Sequence, residues 1–92
     1  MRLVRLKPDF FTTRRVHAPP GSAEDKALRH VLRALADERS PVPGPGDERA
    51  LRTPFVEIWA RPVPATNLVV TYLVTSAAVE VTGVRPAWRE HR

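Results

Sequence analysis

The sequence predicts an α+β fold, with an N-terminal strand, a helical hairpin and then a three-stranded antiparallel meander. Two observations carry this prediction. The middle of the chain contains one apolar stripe at helical spacing, and residues 55–85 contain three runs rich in β-branched residues, separated by short turn-forming segments. At 92 residues the chain has room for one domain with a small core, which we assign to residues 1–92 with a basic tail at 85–92.

The N-terminal half is expected to supply one strand and two helices. Arg2 to Leu6 alternates between polar and apolar side chains, which is typical of a strand. Phe10 to His17 can form a short helix, and the Ala-Pro-Pro-Gly segment that follows ends it, because proline lacks a backbone donor. Ser22 is a suitable N-cap for a second helix. That helix carries an apolar stripe that we expect to pack against the sheet, formed by Leu28, Val31, Leu32 and Leu35.

The C-terminal half is expected to form the sheet. The Pro- and Gly-rich run at residues 40–46 cannot continue a helix and is interpreted as an exposed linker, with Glu48 in the loop behind it. Three strand-like runs follow, joined by short hairpin-forming segments. They are Phe55 to Arg61, Leu68 to Thr75 and Ala78 to Arg85. In the last run a period of two places Val79, Val81, Gly83 and Arg85 on one face and Glu80, Thr82 and Val84 on the other.

The charge pattern predicts contact with a polyanion. The formal net charge is +5 and the isoelectric point is about 11.0. Residues 1–18 hold five basic residues and one acidic, residues 49–92 hold six and three, and residues 19–48 hold four and six. A basic excess concentrated in particular segments is typical of nucleic-acid-binding surfaces. An ordinary solvated surface, with arginine enriched by codon usage, is an equal alternative.

Composition disfavours several classes of site and location. The chain has no cysteine, so disulfides and thiolate metal sites are excluded, and His17, His30 and His91 lack the spacing of zinc ligands. We therefore expect neither a metal nor a cofactor. No apolar run approaches the roughly 18 residues that span a bilayer, and the charged N-terminus is unlike a signal peptide. We expect a cytoplasmic protein that does not contact membranes.

From Gly46 to Arg85 the sequence resembles the RelE/ParE superfamily of bacterial type II toxins. A strand, a short turn and a second strand follow one another, and the second strand carries a Val-x-Tyr-x-Val pattern at Val70, Tyr72 and Val74. The segment Glu-Val-Thr-Gly-Val-Arg, which ends at Arg85, is similar to the family's last strand and its terminal arginine. With the order of strand, helical hairpin and meander, the resemblance implies a RelE/ParE-like fold of the microbial ribonuclease type.

The resemblance implies a toxin that an acidic antitoxin neutralises. RelE-like members cleave mRNA in the ribosomal A site, and ParE-like members inhibit DNA gyrase. Cleavage of this kind, without a metal, needs a base for the 2′-OH proton, cations around the phosphate, and an acid or solvent at the leaving 5′-oxygen. We therefore expect a ribosome-dependent mRNA endoribonuclease of RelE/YoeB type. The alternatives are a non-enzymatic ParE-like gyrase inhibitor and an inactive toxin-fold module that binds RNA or protein.

The resemblance also assigns candidate residues to these steps. Glu48, eleven residues before Trp59, corresponds to the carboxylate of the YoeB branch and is the candidate base. Arg61 and Arg85 are the candidates for holding the scissile phosphate, and His91, six residues after Arg85, is a candidate acid or base. An aromatic residue among arginines is typical of nucleic-acid contact, and the RNA-binding candidates are Arg52, Trp88 and Arg89.

The sequence departs from the family pattern at catalytic positions. The active branches carry an arginine three residues before the strand tyrosine, where this chain has Val69, and the lysine pair of the RelE branch is replaced by Glu57 and Trp59. The phosphate site is therefore expected to be less positive than in the active nucleases. Either Arg61 or Arg52 substitutes from a neighbouring position, or the protein is a non-cleaving member.

Structural roles compete with the catalytic assignments. A carboxylate in a loop, such as Glu48, is commonly only solvated, and His91 lies at a chain end of the kind that frays. Trp59 and Tyr72 lie in predicted strands and are expected to pack in the core. Trp88 can equally close one end of the sheet.

Overall fold

The structure, a computed structural model, describes residues 1–87. In this range one strand is followed by two helices and then by four strands, so the predicted α+β class is confirmed. The elements are β1 (Val4–Leu6), α1 (Pro8–His17), α2 (Ala23–Ala36), β2 (Glu48–Arg52), β3 (Glu57–Val63), β4 (Leu68–Val74) and β5 (Val79–Pro86).

The strands form one mixed sheet in the order β1-β5-β4-β3-β2. In place of the predicted three-stranded meander, the four strands β2 to β5 pair antiparallel in chain order, so the sheet is wider than predicted. β1 pairs in parallel with β5, from Val4 opposite Val79 to Leu6 opposite Val81, and β2 pairs antiparallel with β3 at the other edge. β2 begins at Glu48, which the sequence placed in a loop. All residues of β2 are exposed, so this strand has no apolar alternation by which it could have been predicted.

The two helices cover one face of the sheet. In the predicted stripe of α2, Leu28, Val31 and Leu35 are buried, and Leu32 is half-buried against the same core, as expected. Each fully buried aliphatic side chain contributes about 1.5–3 kcal/mol through removal of apolar surface from water. The sheet supplies the other side of this core, through Val63, Leu68, Val70, Tyr72, Val79, Val81 and Val84. Neither helix of residues 1–87 is long and apolar enough to cross a bilayer.

The helical hairpin is closed by a cap and a buried ion pair. The predicted N-cap is confirmed, since the Ser22 hydroxyl accepts a hydrogen bond from the Asp25 N–H at 3.0 Å. The Asp25 carboxylate accepts hydrogen bonds from the Arg14 guanidinium at 2.8 Å and from the Gly21 N–H at 3.1 Å. These hydrogen bonds, Arg14 first, lower the pKa of Asp25 to about 2. The charged pair therefore joins α1 to α2 at neutral pH.

Candidate functional site

A groove of about 550 Å³ lies on the face of the sheet opposite the helices. Its floor consists of small or apolar side chains from the two central strands, namely Ala60 and Pro62 of β3 and Val69 and Thr71 of β4. Glu48 lines it from β2, and Arg85 lines it from β5. The groove therefore contains two of the predicted catalytic residues, one on each side of its floor.

Strand alternation determines which side chains reach this groove. In β3, Trp59, Arg61 and Val63 lie toward the helices, so Ala60 and Pro62 lie on the open face. The partner strand β4 follows the same rule, because Ala60 pairs with Thr71 and Pro62 pairs with Val69. The expectation that Trp59 and Tyr72 pack with the core is confirmed: Tyr72 is buried and Trp59 is partly buried against it.

A bulge in the β4–β5 ladder brings Arg85 to the groove. Tyr72 pairs with Val81 and Thr71 pairs with Gly83, so Thr82 is an extra residue between the two pairs. The hydroxyls of Thr71 and Thr82 lie 2.8 Å apart and hydrogen-bond to each other across this irregularity.

Because of the bulge, the side chains of β5 lie on different faces from those predicted. A strict period of two placed Val81, Gly83 and Arg85 on one face, and this prediction is wrong beyond Val81. Val84 is buried in the core with Val79 and Val81, whereas Arg85 is exposed and pairs with the groove residue Val69. The extra residue shifts the alternation by one position, which a period of two cannot anticipate.

Glu48 and Arg85 lie on strands that are three strand spacings apart, and Arg85 is two residues beyond the β5 residue in register with Glu48. Glu48 pairs with Ala60, Ala60 pairs with Thr71, and Thr71 pairs with Gly83. With about 4.8 Å between neighbouring strands, the backbones at Glu48 and Gly83 are roughly 14 Å apart. Within residues 1–87, neither the Glu48 carboxylate nor the Arg85 guanidinium has a hydrogen-bond or ion-pair partner. Both charges are therefore available to a ligand that lies on the groove floor.

Arg61 lies on the other face of the sheet, in a cluster with Asp47 and Tyr72. Its guanidinium donates to the two Asp47 carboxylate oxygens at 2.8 and 2.9 Å. The Tyr72 hydroxyl also donates to Asp47, and so does the Gly44 N–H, at 2.8 Å. The side chains of Asp47 and Arg61 are only 1% and 14% exposed. We call Asp47, Arg61 and Tyr72 the clamp.

The protonation states of the clamp suit a structural role. Burial favours a raised pKa for the Asp47 carboxyl, but the hydrogen bonds from Arg61, Tyr72 and Gly44 outweigh burial and lower it. Burial, together with the hydrogen bond to Asp47, raises the pKa of Tyr72. At neutral pH the carboxylate and guanidinium are therefore charged and the phenol is neutral, so each hydrogen bond has a donor and an acceptor.

In the clamp, Arg61 has a different role from the phosphate binding that was predicted for it. The guanidinium is occupied by Asp47, and its strand position faces the helices while Glu48 and Arg85 line the groove. Sequence reasoning did not identify Asp47. A signal was present: Arg61 shares its strand face with Trp59 and Val63, and an arginine on a core-facing position needs a buried acidic partner.

The remaining candidates lie elsewhere. Arg52 is paired with Glu57 at 3.8 Å, on the strand face that carries Trp59 rather than on the groove face. Arg49 also pairs with Glu57, at 3.2 Å, and its guanidinium lies over the Trp59 ring at 5.4 Å. The other predicted residues, Trp88, Arg89 and His91, lie outside the described residues. The groove therefore unites Glu48 with Arg85 but not with Arg61 or Arg52.

Within residues 1–87, no group of three or more His, Asp or Glu side chains is arranged to hold a metal ion. Comparisons of the chain with protein families, with characterised proteins and with solved structures give no match. The function is therefore inferred from the groove and from the residues that line it.

Proposed function

We propose that this protein is the toxin of a type II toxin–antitoxin system and a ribosome-dependent mRNA endoribonuclease of RelE/YoeB type. The observation that supports this most is the position of Glu48 and Arg85, which line one groove and have no partner within residues 1–87. A carboxylate can accept a proton, and a guanidinium matches a phosphate with two parallel hydrogen bonds. Together they are the minimum that phosphodiester cleavage by a neighbouring hydroxyl requires.

The proposed reaction begins with proton transfer to Glu48. The Glu48 carboxylate takes the proton of a ribose 2′-OH, and the 2′-oxygen attacks the adjacent phosphorus. The bond from phosphorus to the 5′-oxygen breaks, which leaves a 2′,3′-cyclic phosphate, and the leaving oxygen takes a proton from solvent or from His91. Arg85 stabilises the negative charge that develops on the phosphate oxygens. Each step uses a residue or solvent at the groove, apart from His91, which lies outside the described residues.

The groove floor suits a single RNA strand. Ala60, Pro62, Val69 and Thr71 present a shallow surface with little bulk, on which a ribose or an unstacked base can lie. The roughly 14 Å between the two sides leaves room for a nucleotide between the Glu48 and Arg85 side chains. A basic protein with a net charge of +5 also attracts a polyanion at long range.

A non-cleaving function is the second candidate. The clamp favours it, because it holds Arg61 on the other face of the sheet, and Arg49 is paired with Glu57, so within residues 1–87 Arg85 is the one unpaired arginine that lines the groove. One cation stabilises a phosphorane-like transition state less than the cluster of an active nuclease would. A ParE-like inhibitor of DNA gyrase, or an inactive module that binds RNA or protein, requires only the surface and not the catalytic pair.

The proposed partners are an acidic antitoxin and the translating ribosome with its mRNA, in the cytoplasm. Exposed apolar side chains lie on the open face of the sheet, among them Leu51, which pairs with Ile58 on the same face as Ala60 and Pro62. Apolar surface of this kind on a small basic protein is suited to an acidic chain that covers it. Co-expression with an adjacent acidic reading frame should give a complex whose affinity falls as salt is added.

Primer extension on translated mRNA tests the catalytic proposal. Wild-type protein should cut mRNA in the ribosomal A site. Arg85→Ala should lose about 10²–10³ in rate, as removal of one preorganised donor does, and Glu48→Gln should lose about 10²–10⁴ as removal of a general base does. Glu24→Gln and Arg39→Ala make the same chemical changes at α2 and just beyond it, and both should cut like wild type.

Two outcomes would contradict the proposal. Growth arrest by wild-type protein without A-site cuts would favour the gyrase-directed function, which DNA supercoiling assays would then test. Unchanged cutting by Arg85→Ala and Glu48→Gln would remove this groove as the active site.

A further inference from the structure

We propose that Asp47 is a positioning residue for Glu48, and that the clamp of Asp47, Arg61 and Tyr72 holds the candidate base at the groove. The chemical role of Glu48 rests on the proposed function, whereas the geometry of the clamp does not. Asp47 directly precedes Glu48, the first residue of β2. Its carboxylate is the meeting point of hydrogen bonds from β3, β4 and the loop before β2.

The side-chain direction of Asp47 determines that of Glu48. Consecutive side chains in an extended chain leave opposite faces of a sheet. Arg61 and Tyr72 hold the Asp47 carboxylate on the helix-covered face, so Glu48, opposite Ala60, lies on the groove face. A slip of one residue would exchange these directions. It would bury Glu48 beside the clamp and leave the groove without its carboxylate.

β2 has few other contacts that could set its register. All its residues are exposed, it pairs with β3 alone, and a bulge interrupts the ladder between Arg49 and Leu51. The ion pairs of Arg49 and Arg52 with Glu57 are partly exposed, and exposed pairs of this kind contribute little. The hydrogen bonds to Asp47 are charge-assisted and shielded from water, which makes them stronger. The register of β2 is therefore set mainly at Asp47.

A small change at Asp47 should affect catalysis more than substrate binding. A general base must lie within about 3 Å of the hydroxyl from which it takes a proton. Misplacement by about 1 Å can cost roughly 10² in rate. The groove floor and Arg85 belong to β3, β4 and β5, which do not need β2 for their own pairing. Substrate can therefore still bind when Glu48 is displaced.

Asp47→Asn tests this inference, since an amide has nearly the same shape but lacks the charge and one acceptor. Its kcat for mRNA cleavage should fall about 10²-fold, with KM within about twofold of wild type. Amide hydrogen exchange should quicken in β2 and stay unchanged in β4. Asp37→Asn is the matched control, because it makes the same change in a surface pair with Arg39 at 3.2 Å. It should behave as wild type in every measurement.

A double variant separates positioning from a general loss of structure. If Asp47 acts through Glu48, the kcat of Asp47→Asn combined with Glu48→Gln should equal that of Glu48→Gln alone within about threefold, because the base is already absent. A further loss of about 10²-fold in the double variant would overturn the inference.

If Asp47→Asn does not fold, Tyr72→Phe tests the same inference, because it removes a single hydroxyl from the clamp and keeps the ring. Its kcat should fall about tenfold with faster exchange in β2. Wild-type kcat together with wild-type exchange in β2 would contradict the inference.

If the wild-type protein does not cleave mRNA, the proposed function is refuted. The positioning of Glu48 by Asp47 can then still be tested by NMR. Contacts between the Glu48 side chain and the Ala60 methyl should then be present in wild type and lost in Asp47→Asn. If they persist in that variant, Asp47 does not position Glu48.

Discussion

Two aspartate side chains in this protein are only 1% exposed, yet their surroundings differ. Asp25 joins α1 to α2 through Arg14, in a helical hairpin whose stripe residues Leu28 and Val31 are already packed against the sheet. Asp47 joins the start of β2 to the sheet through Arg61, next to a strand that has no buried residue.

This difference shows that the effect of losing an ion pair depends on the other contacts around it. Inside the helical hairpin the Asp25 pair is one of many contacts, so its loss should weaken the whole domain. At β2 the clamp is the main contact, so its loss should release one strand while the rest stays folded. Regions with few buried apolar contacts are the first to open locally, and β2 carries the candidate base.

The largest effect should come from a matched pair of leucine truncations. Leu28 is 0% exposed in α2 and Leu51 is 50% exposed in β2. Leu28→Ala should lower the free energy of unfolding by about 2–5 kcal/mol, because it leaves a cavity in the core. Leu51→Ala should change it by less than about 0.5 kcal/mol. Urea denaturation measures both, and equal losses would contradict the view that β2 lies outside the core.

Removal of each arginine partner should separate global from local effects. Arg61→Ala leaves the Asp47 carboxylate buried without its cation, at a cost of about 3 kcal/mol. This cost should appear as faster amide exchange in β2, with protection kept in β5. Arg14→Ala should instead lower the denaturation midpoint of the whole domain. Equal loss of protection in β2 and β5 on Arg61→Ala would show that the clamp belongs to the global core.

A pair of glycine substitutions should give a smaller effect. A Cβ at Gly44 would lie 2.8 Å from the Arg61 guanidinium and 3.0 Å from the Pro41 carbonyl oxygen, so Gly44→Ala must displace part of the clamp. Overpacking of this kind costs about 1–3 kcal/mol. At Gly83 the nearest atoms would be 3.5 Å away, in ordinary contact, so Gly83→Ala should change the free energy of unfolding by less than about 0.5 kcal/mol. Thermal melts that rank the two variants in the opposite order would contradict this geometry.

The pH dependence should be the smallest effect near neutrality. Both carboxylates have a lowered pKa in the fold, Asp25 to about 2 through the Arg14 hydrogen bond and Asp47 through hydrogen bonds that outweigh burial. A lowered folded pKa gives stability that is present above the ordinary aspartate pKa and lost as pH falls through the folded value. The melting temperature should therefore be flat near pH 7 and fall in acid.

A variant tests the contribution of the Asp47 carboxylate to the loss of stability in acid. Asp47→Asn should remove the acid-induced release of β2 in hydrogen exchange, whereas Asp37→Asn should retain it. If stability rises as pH falls from 5 toward 2, the assigned signs are wrong.

The elements with a periodic apolar face could be predicted from the amino-acid sequence alone. The stripe of α2, its Ser22 cap and the strands β3 and β4 follow from spacing and turn residues, because burial selects apolar side chains at fixed intervals. The resemblance to the RelE/ParE superfamily named Glu48 and Arg85 as candidates. β2 could not be found in this way, since an exposed edge strand has no periodic signal.

How these residues come together depends on contacts between elements of the folded chain. The extra residue Thr82 shifts the alternation of β5 and turns Arg85 toward the groove, which no local pattern encodes. Arg61 is exposed or buried according to whether an acid approaches it from another element, and Asp47 does so from the start of β2. Spacing along a chain fixes the face of a single strand, but bulges, edge pairing and buried ion pairs depend on contacts between segments distant in sequence, and these exist only in the folded molecule.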